Sequence, residues 1–424
     1  MKKRLFVIVM MCIALLGINA QNVKAAEVDI LINKLVEKRI ITQDEATQLI
    51  NEMQKEGARE NEAIKTVVAE AAKEEAKNNK QVLPSWVSNM TISGDLRVRY
   101  QTEDIDNDGK PSRDRWRIRL RPALEAKIND KWKAGFRLAT GSADPISTNQ
   151  TLEDTFQTPD IRLDYAYAQY SPTSDIKIMA GKLKNPLYTT KDLMWDGDAT
   201  PDGLAATFNF KASDKLSLFI TPAYFILEED KSRTDDPAMI VIQPGMTWKI
   251  NDNVSFKVAG AYYDFKNVKG SNMSVHSAGT NSTDAKGMWL YDHDSTAFDA
   301  EIGFKLPSFI KYVSLFGEYV TSDADNDNTG WLFGITIGDE KVSEFKKWQF
   351  TYNYRELEKD AWVDWLPDSD FYEGETGVKG SEFEFTFGLS KNVTFGIDYY
   401  LNQPIDNLSD KDMSLIQADL VVKF

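Results

Sequence analysis

The chain has 424 residues, of which 27% are charged, and its 50 lysines and arginines against 65 acidic residues give a formal net charge of −15. So acidic a chain excludes a broad nucleic-acid-binding face, which needs clustered positive charge. Its single cysteine, Cys12, excludes a disulfide framework and, once the leader described next is removed, a thiol enzyme.

Residues 1–25 read as a secretory signal peptide. Lys2, Lys3 and Arg4 precede an apolar run from Leu5 to Ile18, and small residues follow. Val23 and Ala25 suit the two recognition positions for cleavage after Ala25, with Ala20 as the next choice. Cys12 lacks the small residues that precede a lipidated cysteine, so it leaves with the leader. Loss of Lys2, Lys3, Arg4 and Lys24 leaves 46 basic residues against 65 acidic ones, a net charge of −19.

Residues 26–84 predict a helical periplasmic segment. From 27 to 80 the sequence is rich in Ala, Glu, Lys and Gln, with one glycine and no proline. Apolar residues recur at helical spacing: Leu31, Leu35 and Val36, then Ala46, Leu49, Ile50 and Met53. Thr42 and Glu45 make a capping box, which starts a second helix near Gln43. Ile64, Val67, Val68, Ala71 and Ala72 form a thin stripe, and Pro84 ends the segment. Two readings stand: a solvated spacer, or a coiled coil that touches the cell wall. The stretch from Gly57 to Asn61 interrupts its seam.

From about Asn89 the apolar period changes from helical to alternating. No later apolar run approaches the ~20 residues of a membrane helix. The choice is between a soluble exported protein and a transmembrane barrel, because only helices and closed barrels satisfy every backbone group in lipid. The expected fold of residues 85–424 is all-β, an antiparallel barrel of about sixteen strands. The expected strands are 89–100, 114–128, 131–140, 161–171, 175–182, 204–211, 215–226, 238–250, 253–264, 296–306, 312–321, 329–337, 347–356, 380–390, 392–401 and 414–424. Most are near the length that a tilted strand needs to cross a bilayer.

The connections alternate in length. Asn129-Asp130, 172–174, 212–214, Asn251-Asp252, 307–311 and the single Lys391 are short. The segments 101–113, 141–160, 183–203, 227–237, 265–295, 322–328, 357–379 and 402–413 are long; 338–346 is long for its class. Short turns at one end and long loops at the other are the outer-membrane pattern. A soluble sandwich has no reason to sort loops by parity. An even strand number puts both barrel termini on the short-turn side.

The stretch RWRIRLRP puts Arg115, Arg117, Arg119 and Arg121 on one strand face and Trp116, Ile118 and Leu120 on the other. An arginine at the lipid midplane costs ~2–4 kcal/mol. Four of them facing lipid could cancel the ~5–15 kcal/mol of a whole domain's stability. The arginines are therefore expected inside. Arg97 and Arg99 follow the same alternation, as do Lys133 and Arg137, and Arg162 joins them. The later strands are acidic on the corresponding face, through Asp299, Glu301, Glu382, Glu384 and Asp398. A water-filled channel with opposed charged walls is the functional reading; the solvated faces of a soluble sheet are the alternative. Pro122, Pro222 and Pro244 fall within expected strands, where each removes a ladder donor; they are expected at bulges or rims.

Asp104, Asp106 and Asp108 imitate the start of a calcium loop, but Arg115 stands where the twelfth-position glutamate should be. Asp323, Asp325 and Asp327 form a similar run. Solvated acidic loops are the preferred reading of both, with no cofactor or metal expected. His276 and His293 share one long loop, which does not set a base beside a nucleophile at the membrane rim. No enzyme is expected.

Residues 86–210 resemble the Putative porin family of Gram-negative outer membranes. The resemblance is carried by GDLRVRY, RDRWRIRLRPALEAKINDKWKAGFRLATGSADPISTNQTLEDTF, DIRLDYAYAQYSP, GKLKNPLY and DLMWDGDATPDGLAATF, about a third of the chain. It implies a sixteen-stranded barrel in the outer membrane, often a homotrimer, that passes small hydrophilic solutes and has no catalytic residues. It implies that Phe424, closing the alternating strand SLIQADLVVKF, is the signal read by the barrel-assembly machinery. It also implies that the third long loop, 183–203, folds into the barrel, where Asp192, Asp196, Asp198 and Asp202 would face the arginines. The expected function is a passive diffusion porin embedded in outer-membrane lipid. The alternatives are an anion-selective channel using the arginine ladder, and a tether from outer membrane to cell wall through residues 27–80.

Overall fold

The computed structural model describes residues 89–424 except 107–108, 230, 232, 274–275 and 406–410. The expected leader (1–25) and helical segment (26–84) lie outside the described residues. Seventeen strands follow in order: β1 Met90–Ile105, β2 Arg113–Lys127, β3 Trp132–Thr140, β4 Gln150–Thr151, β5 Ile161–Thr173, β6 Ile176–Lys182, β7 Asp202–Lys211, β8 Leu216–Ile226, β9 Ala238–Lys249, β10 Val254–Lys266, β11 Ser295–Lys305, β12 Tyr312–Ser322, β13 Thr329–Gly338, β14 Trp348–Leu357, β15 Val378–Ser390, β16 Val393–Pro404 and β17 Met413–Lys423.

Each long strand pairs antiparallel with its sequence neighbour, and β1 pairs with both β2 and β17. The sheet therefore closes on itself as a sixteen-stranded barrel, and no edge is left. The two-residue β4 is not a wall strand. It pairs with β2 at Arg117 and Ile118, beyond the point where β3 has left it. Closure at the bottom of the seam is made by Phe424, which exchanges backbone hydrogen bonds of 2.8 and 3.0 Å with Gly94. Its ring covers that glycine: a Cβ built there would lie 2.7 Å from the ring and 2.6 Å from the Arg121 carbonyl.

The side-chain alternation is inverted relative to a soluble sheet. In β11, Phe298 is 52% exposed while the adjacent Asp299 is 1% exposed. Leu96, Trp116, Phe136, Leu204, Ile242, Leu315, Phe333 and Leu401 continue the exposed apolar belt around the barrel. Aromatic pairs flank it. Trp132–Tyr170 (4.8 Å) and Phe309–Trp348 (5.5 Å) lie toward the short turns, with Tyr100–Trp116 (5.2 Å) and Trp331–Tyr354 (5.6 Å) toward the long loops. An apolar band between aromatic girdles is the surface a bilayer requires.

The prolines do not mark bulges. Pro222 and Pro244 keep their partners on one side (Ile242 and Ile220), while the ladder on the other side skips two pairs without changing register. Pro122 faces Gly94, and the β2–β3 ladder begins one residue later, at Ala123. A missing N–H removes a rung but leaves the phase of the side chains intact. The register shifts lie elsewhere, at Arg137/Leu138, Tyr170/Thr173 and Gly388/Ser390.

Candidate functional site

Strands β1 and β2 bring six guanidinium groups to one side of the lumen. Arg99 binds Asp419 through two bonds of 2.8 Å and Asp370 through a third of 2.8 Å. Arg97 lies 3.6 Å from Asp419 and donates to Asn149. Arg115 pairs with Glu103 at 2.6 Å. Arg119 and Arg121 share Asp95, at 3.2 and 2.9 Å, and Asp198, at 3.9 and 2.6 Å. Arg117 is the exception, its polar partner being the neutral Gln101 at 3.3 Å. Five carboxylates thus stand among six arginines. Lys133 pairs with Glu125, and Arg137 pairs with Asp164 and lies 4.8 Å over the Tyr165 ring. Arg162 is nearer the mouth, 3.5 Å from Asp160 with much of its side chain exposed.

Asp299 and Glu301 on β11 and Glu318 on β12 stand across the lumen from β1 and β2, whereas Glu382 and Glu384 on β15 and Asp398 on β16 flank the arginines, two or three strands from β1 by way of β17. Asp398 stands opposite Glu384 and Gln417. Tyr312 donates to Glu301 at 3.2 Å.

Between the walls runs the segment 183–201, from the end of β6 to the start of β7. Two glycines opposite each other mark its departure and return: Gly181 (φ +123°) and Gly203 (φ +143°). A Cβ at either would lie 2.4 Å from the Ala166 carbonyl or 2.1 Å from that of Tyr224. Only glycine fits a left-handed backbone pressed so closely on its neighbour. The segment then anchors along the far wall. The Gln243 amide exchanges bonds of 2.8 Å with the Tyr188 backbone. The Thr190 N–H donates to Asp299 at 3.1 Å, and those of Lys191 and Leu193 donate to Glu318. Lys191 Nζ reaches Glu382 at 3.1 Å and Glu384 at 3.0 Å. Burial alone would lower the Lys191 pKa, but the carboxylates of Asp192, Glu382 and Glu384 hold it well above the usual lysine range. Leu183, Leu193, Met194 and Trp195 are almost fully buried, with Phe225, Tyr263 and Trp362 among their neighbours in one apolar cluster.

A second long connection, 358–377, also folds inward and locks onto the first. Trp362 donates to the Met194 carbonyl at 2.7 Å. The Asp196 N–H donates to the Leu366 carbonyl at 2.6 Å, and the Ser369 N–H donates to the Asp196 carboxylate at 2.8 Å. Arg355 on β14 ties both loops to the wall through Asp192 (2.8 Å), Asp368 (3.4 Å) and Glu382. Burial pushes Asp370 upward, but Arg99 and Arg97 outweigh it and hold this carboxyl well below the usual range. Burial and then the Asp198 carboxylate push Asp196 well above its ordinary value.

Three sequence expectations change. Asp202 is not a loop residue: it begins β7 on the face of the exposed Leu204, 3.2 Å from Lys182, and takes no part in the interior cluster. The β7 ladder, running up to Asp202 and Lys182, shortens the loop to 183–201. Asp196 points at backbone donors of the second loop and its own, as Asp198 N–H also donates to it at 2.7 Å. The second inward loop was missed, along with Arg355, Lys191 and Glu318. Its signal was the run AWVDWLPDSDFY, too apolar for a solvated loop.

Among the described residues, the carboxylates that converge closely enough for a metal are Asp192, Asp368 and Glu382. Arg355 already sits among them, with Lys191 on Glu382, so a divalent ion would meet two fixed cations. Asp104 belongs to β1 and accepts from Ser112 at 2.5 Å; Asp106 follows that strand, and Asp108 lies outside the described residues.

Comparison with known proteins agrees with this architecture. The family model described as Putative porin matches residues 59–112, 105–298 and 291–424. No curated protein is matched by the sequence. Among solved structures, OprB of Pseudomonas putida at high pH is similar over 80% of this chain and 95% of its own, with 10% identity and a TM-score of 0.52. A triple mutant of the Rhodopseudomonas blastica porin aligns over 79% of this chain and 100% of its own, with 10% identity and a TM-score of 0.44. A loop-deletion mutant of OmpT from Vibrio cholerae covers the same shares at 12% identity and 0.46. At such identities the OprB likeness speaks for the fold alone. The family match spans the whole of residues 59–424: this chain belongs to the Putative porin family and is a multi-pass β-barrel of the outer membrane, built as a porin-like channel.

Proposed function

We propose that the chain is a passive diffusion porin whose eyelet is formed by two loops, 183–201 and 358–377, for ions and small hydrophilic solutes. The observation that carries this reading is the inversion of the barrel: apolar side chains outside, and inside a cluster of arginines with carboxylates both across the lumen on β11 and β12 and beside it on β15 and β16, joined by an anchored loop. Fixed charges of both signs across a narrow aqueous gap favour hydrated, polar solutes over apolar ones. The arginines Arg97, Arg99, Arg115, Arg117, Arg119 and Arg121 with Lys133, Arg137 and Arg162 line one side; Asp299 and Glu301 lie across the lumen from them, and Glu382, Glu384 and Asp398 flank them beyond β17. Asp192, Asp196 and Asp198 belong to the eyelet loop.

Selectivity is weakly for cations in this reading. The arginine ladder is largely neutralised by Asp95, Glu103, Asp198, Asp370 and Asp419. The excess of acid in the long connections then tips the balance by raising the cation concentration at their mouth. An anion track would need free guanidinium groups in series, and of the six Arg117 alone lacks a carboxylate partner among the described residues. Assembly as a homotrimer, recognition of Phe424 by the barrel-assembly machinery and a periplasmic, cell-wall-facing role for residues 27–80 extend the same reading. The test is conductance of the purified full chain in a planar bilayer. Stepwise ohmic insertions in potassium chloride support a porin; an absence of conductance from a folded barrel refutes it.

A further inference from the structure

Charge is sorted along the barrel as well as across it. The eight long connections contain 30 acidic residues and 9 lysines or arginines, whereas the seven short turns contain 7 of each. Strand ends then tip the short-turn side positive. Of the eight strands that run toward the short turns, five finish on lysine: Lys127, Lys211, Lys249, Lys305 and Lys423. Lys177 stands second in β6, at the same end.

These lysines occupy the inward phase of their strands. Lys423 is opposite Asp95, which meets Arg119 and Arg121 in the lumen. Lys305 is opposite Tyr312, whose hydroxyl bonds the inward Glu301. Lys127 is opposite Lys133, which pairs with Glu125. Lys211 and Lys249 directly follow the outward, exposed Phe210 and Trp248. Lysines that merely anchored the barrel to lipid headgroups would take the outward positions, which those aromatics hold. Lys127, Lys211 and Lys305 pair with the turn acids Asp130, Asp214 and Glu340. Among the described residues, Lys177, Lys249 and Lys423 are exposed without an acidic partner.

We propose that this lysine ring makes the short-turn mouth an anion-collecting site and the channel a rectifier, an inference that rests on the channel reading above. The acidic mouth enriches cations and the lysine mouth enriches small anions such as carboxylates or inorganic phosphate. A voltage positive on the long-loop side drives both enriched ions into the pore together, and conductance rises. The opposite voltage draws both out of the pore and depletes it. Current is therefore larger when the long-loop side is positive.

The experiment uses the full chain in planar bilayers. Orientation is fixed for each channel by one-sided labelling of Phe156→Cys, a fully exposed position in the 141–160 connection. In 0.01 M potassium chloride, where the Debye length is ~30 Å, the current ratio at opposite voltages is expected to be about twofold. At 1 M, with a Debye length of ~3 Å, it should approach one. The triple variant Lys177→Gln, Lys249→Gln, Lys423→Gln should bring the low-salt ratio toward one while the 1 M conductance stays unchanged. A conducting channel with symmetric currents at low salt overturns the proposal, as does rectification that survives the triple variant. Loss of all conductance would overturn the channel reading itself and the proposal with it.

Discussion

Arg99 grips Asp419 through two parallel bonds of 2.8 Å across the seam where the first and last strands meet. The pair is buried, with Arg99 2% exposed and Asp419 6% exposed, and Asp370 adds a second carboxylate from the inward loop. Removing one partner of a buried pair leaves a charge without compensation, at a cost of about 3–5 kcal/mol. Arg99→Ala should lower the urea resistance of the refolded barrel by that order. Arg99→Met combined with Asp419→Leu should lose less, because one of the two stranded carboxylates is gone. A loss below about 1 kcal/mol for Arg99→Ala would remove the seam pair from any account of stability.

The barrel was legible because its signal is local. Ten-residue alternation and loop-length parity survive without knowledge of partners, and sixteen strands follow from them. The inward phase of the arginines was equally local, since Trp116, Ile118 and Leu120 interleave with them. The neutralising partners were less so. Asp95 shares the phase of Arg97 and could have been read from GDLRVRY, but Asp419 meets Arg99 only after 320 residues of chain have closed the seam. Asp370 and the rest of the second inward loop depend on contacts with 183–201, which no periodicity encodes. Asp202 was misplaced because the end of a strand and the start of its loop have the same composition here; only pairing with Lys182 separates them.

Gly197 gives direct access to the eyelet loop. It is exposed, and a Cβ built on it meets no atom within 4 Å. Asp196 beside it is a poorer probe, since its carboxylate holds the two inward loops together. With Cys12, the single cysteine of the sequence, replaced by Ser, Gly197→Cys should conduct as the parent does. It should then lose conductance on reaction with a charged thiol reagent. Complete labelling, verified by mass, with no change in current would show that this loop does not narrow the conducting path.

The mouth should titrate near neutrality. Glu375 lies in the second inward loop beside a cavity of about 620 Å³ that Lys110, Lys411, Glu358 and Glu373 also line. Burial, then the Glu373 and Asp364 carboxylates, push its pKa up to about 7. Below that value the group is neutral; above it, the mouth gains one negative charge. Cation preference should therefore rise between pH 6 and pH 8, a window set by a pKa of about 7. The reversal potential in a salt gradient measures it. Glu375→Gln should flatten this step; a step that persists unchanged in that variant would assign it to another group.

The balance between walls is tested at Arg117 and Arg119. Arg117 lacks a carboxylate partner among the described residues, and Arg119 shares Asp95 and Asp198 with Arg121. Their positive charge opposes the acidic mouths, and a fixed charge acts on an ion that passes within about a Debye length, ~8 Å at physiological salt. Replacing Arg117 and Arg119 by Ser leaves Asp95 and Asp198 still paired to Arg121, so the fold keeps its principal anchor there. The lost positive charges should convert a weak cation preference into a stronger one, read as a larger reversal potential in the same salt gradient. The shift should shrink at 1 M salt, where the Debye length falls to ~3 Å. A parent channel already strongly anion-selective would show that the arginines outweigh the acidic mouths. An unchanged reversal potential in the double variant would show that ions do not pass close to this wall.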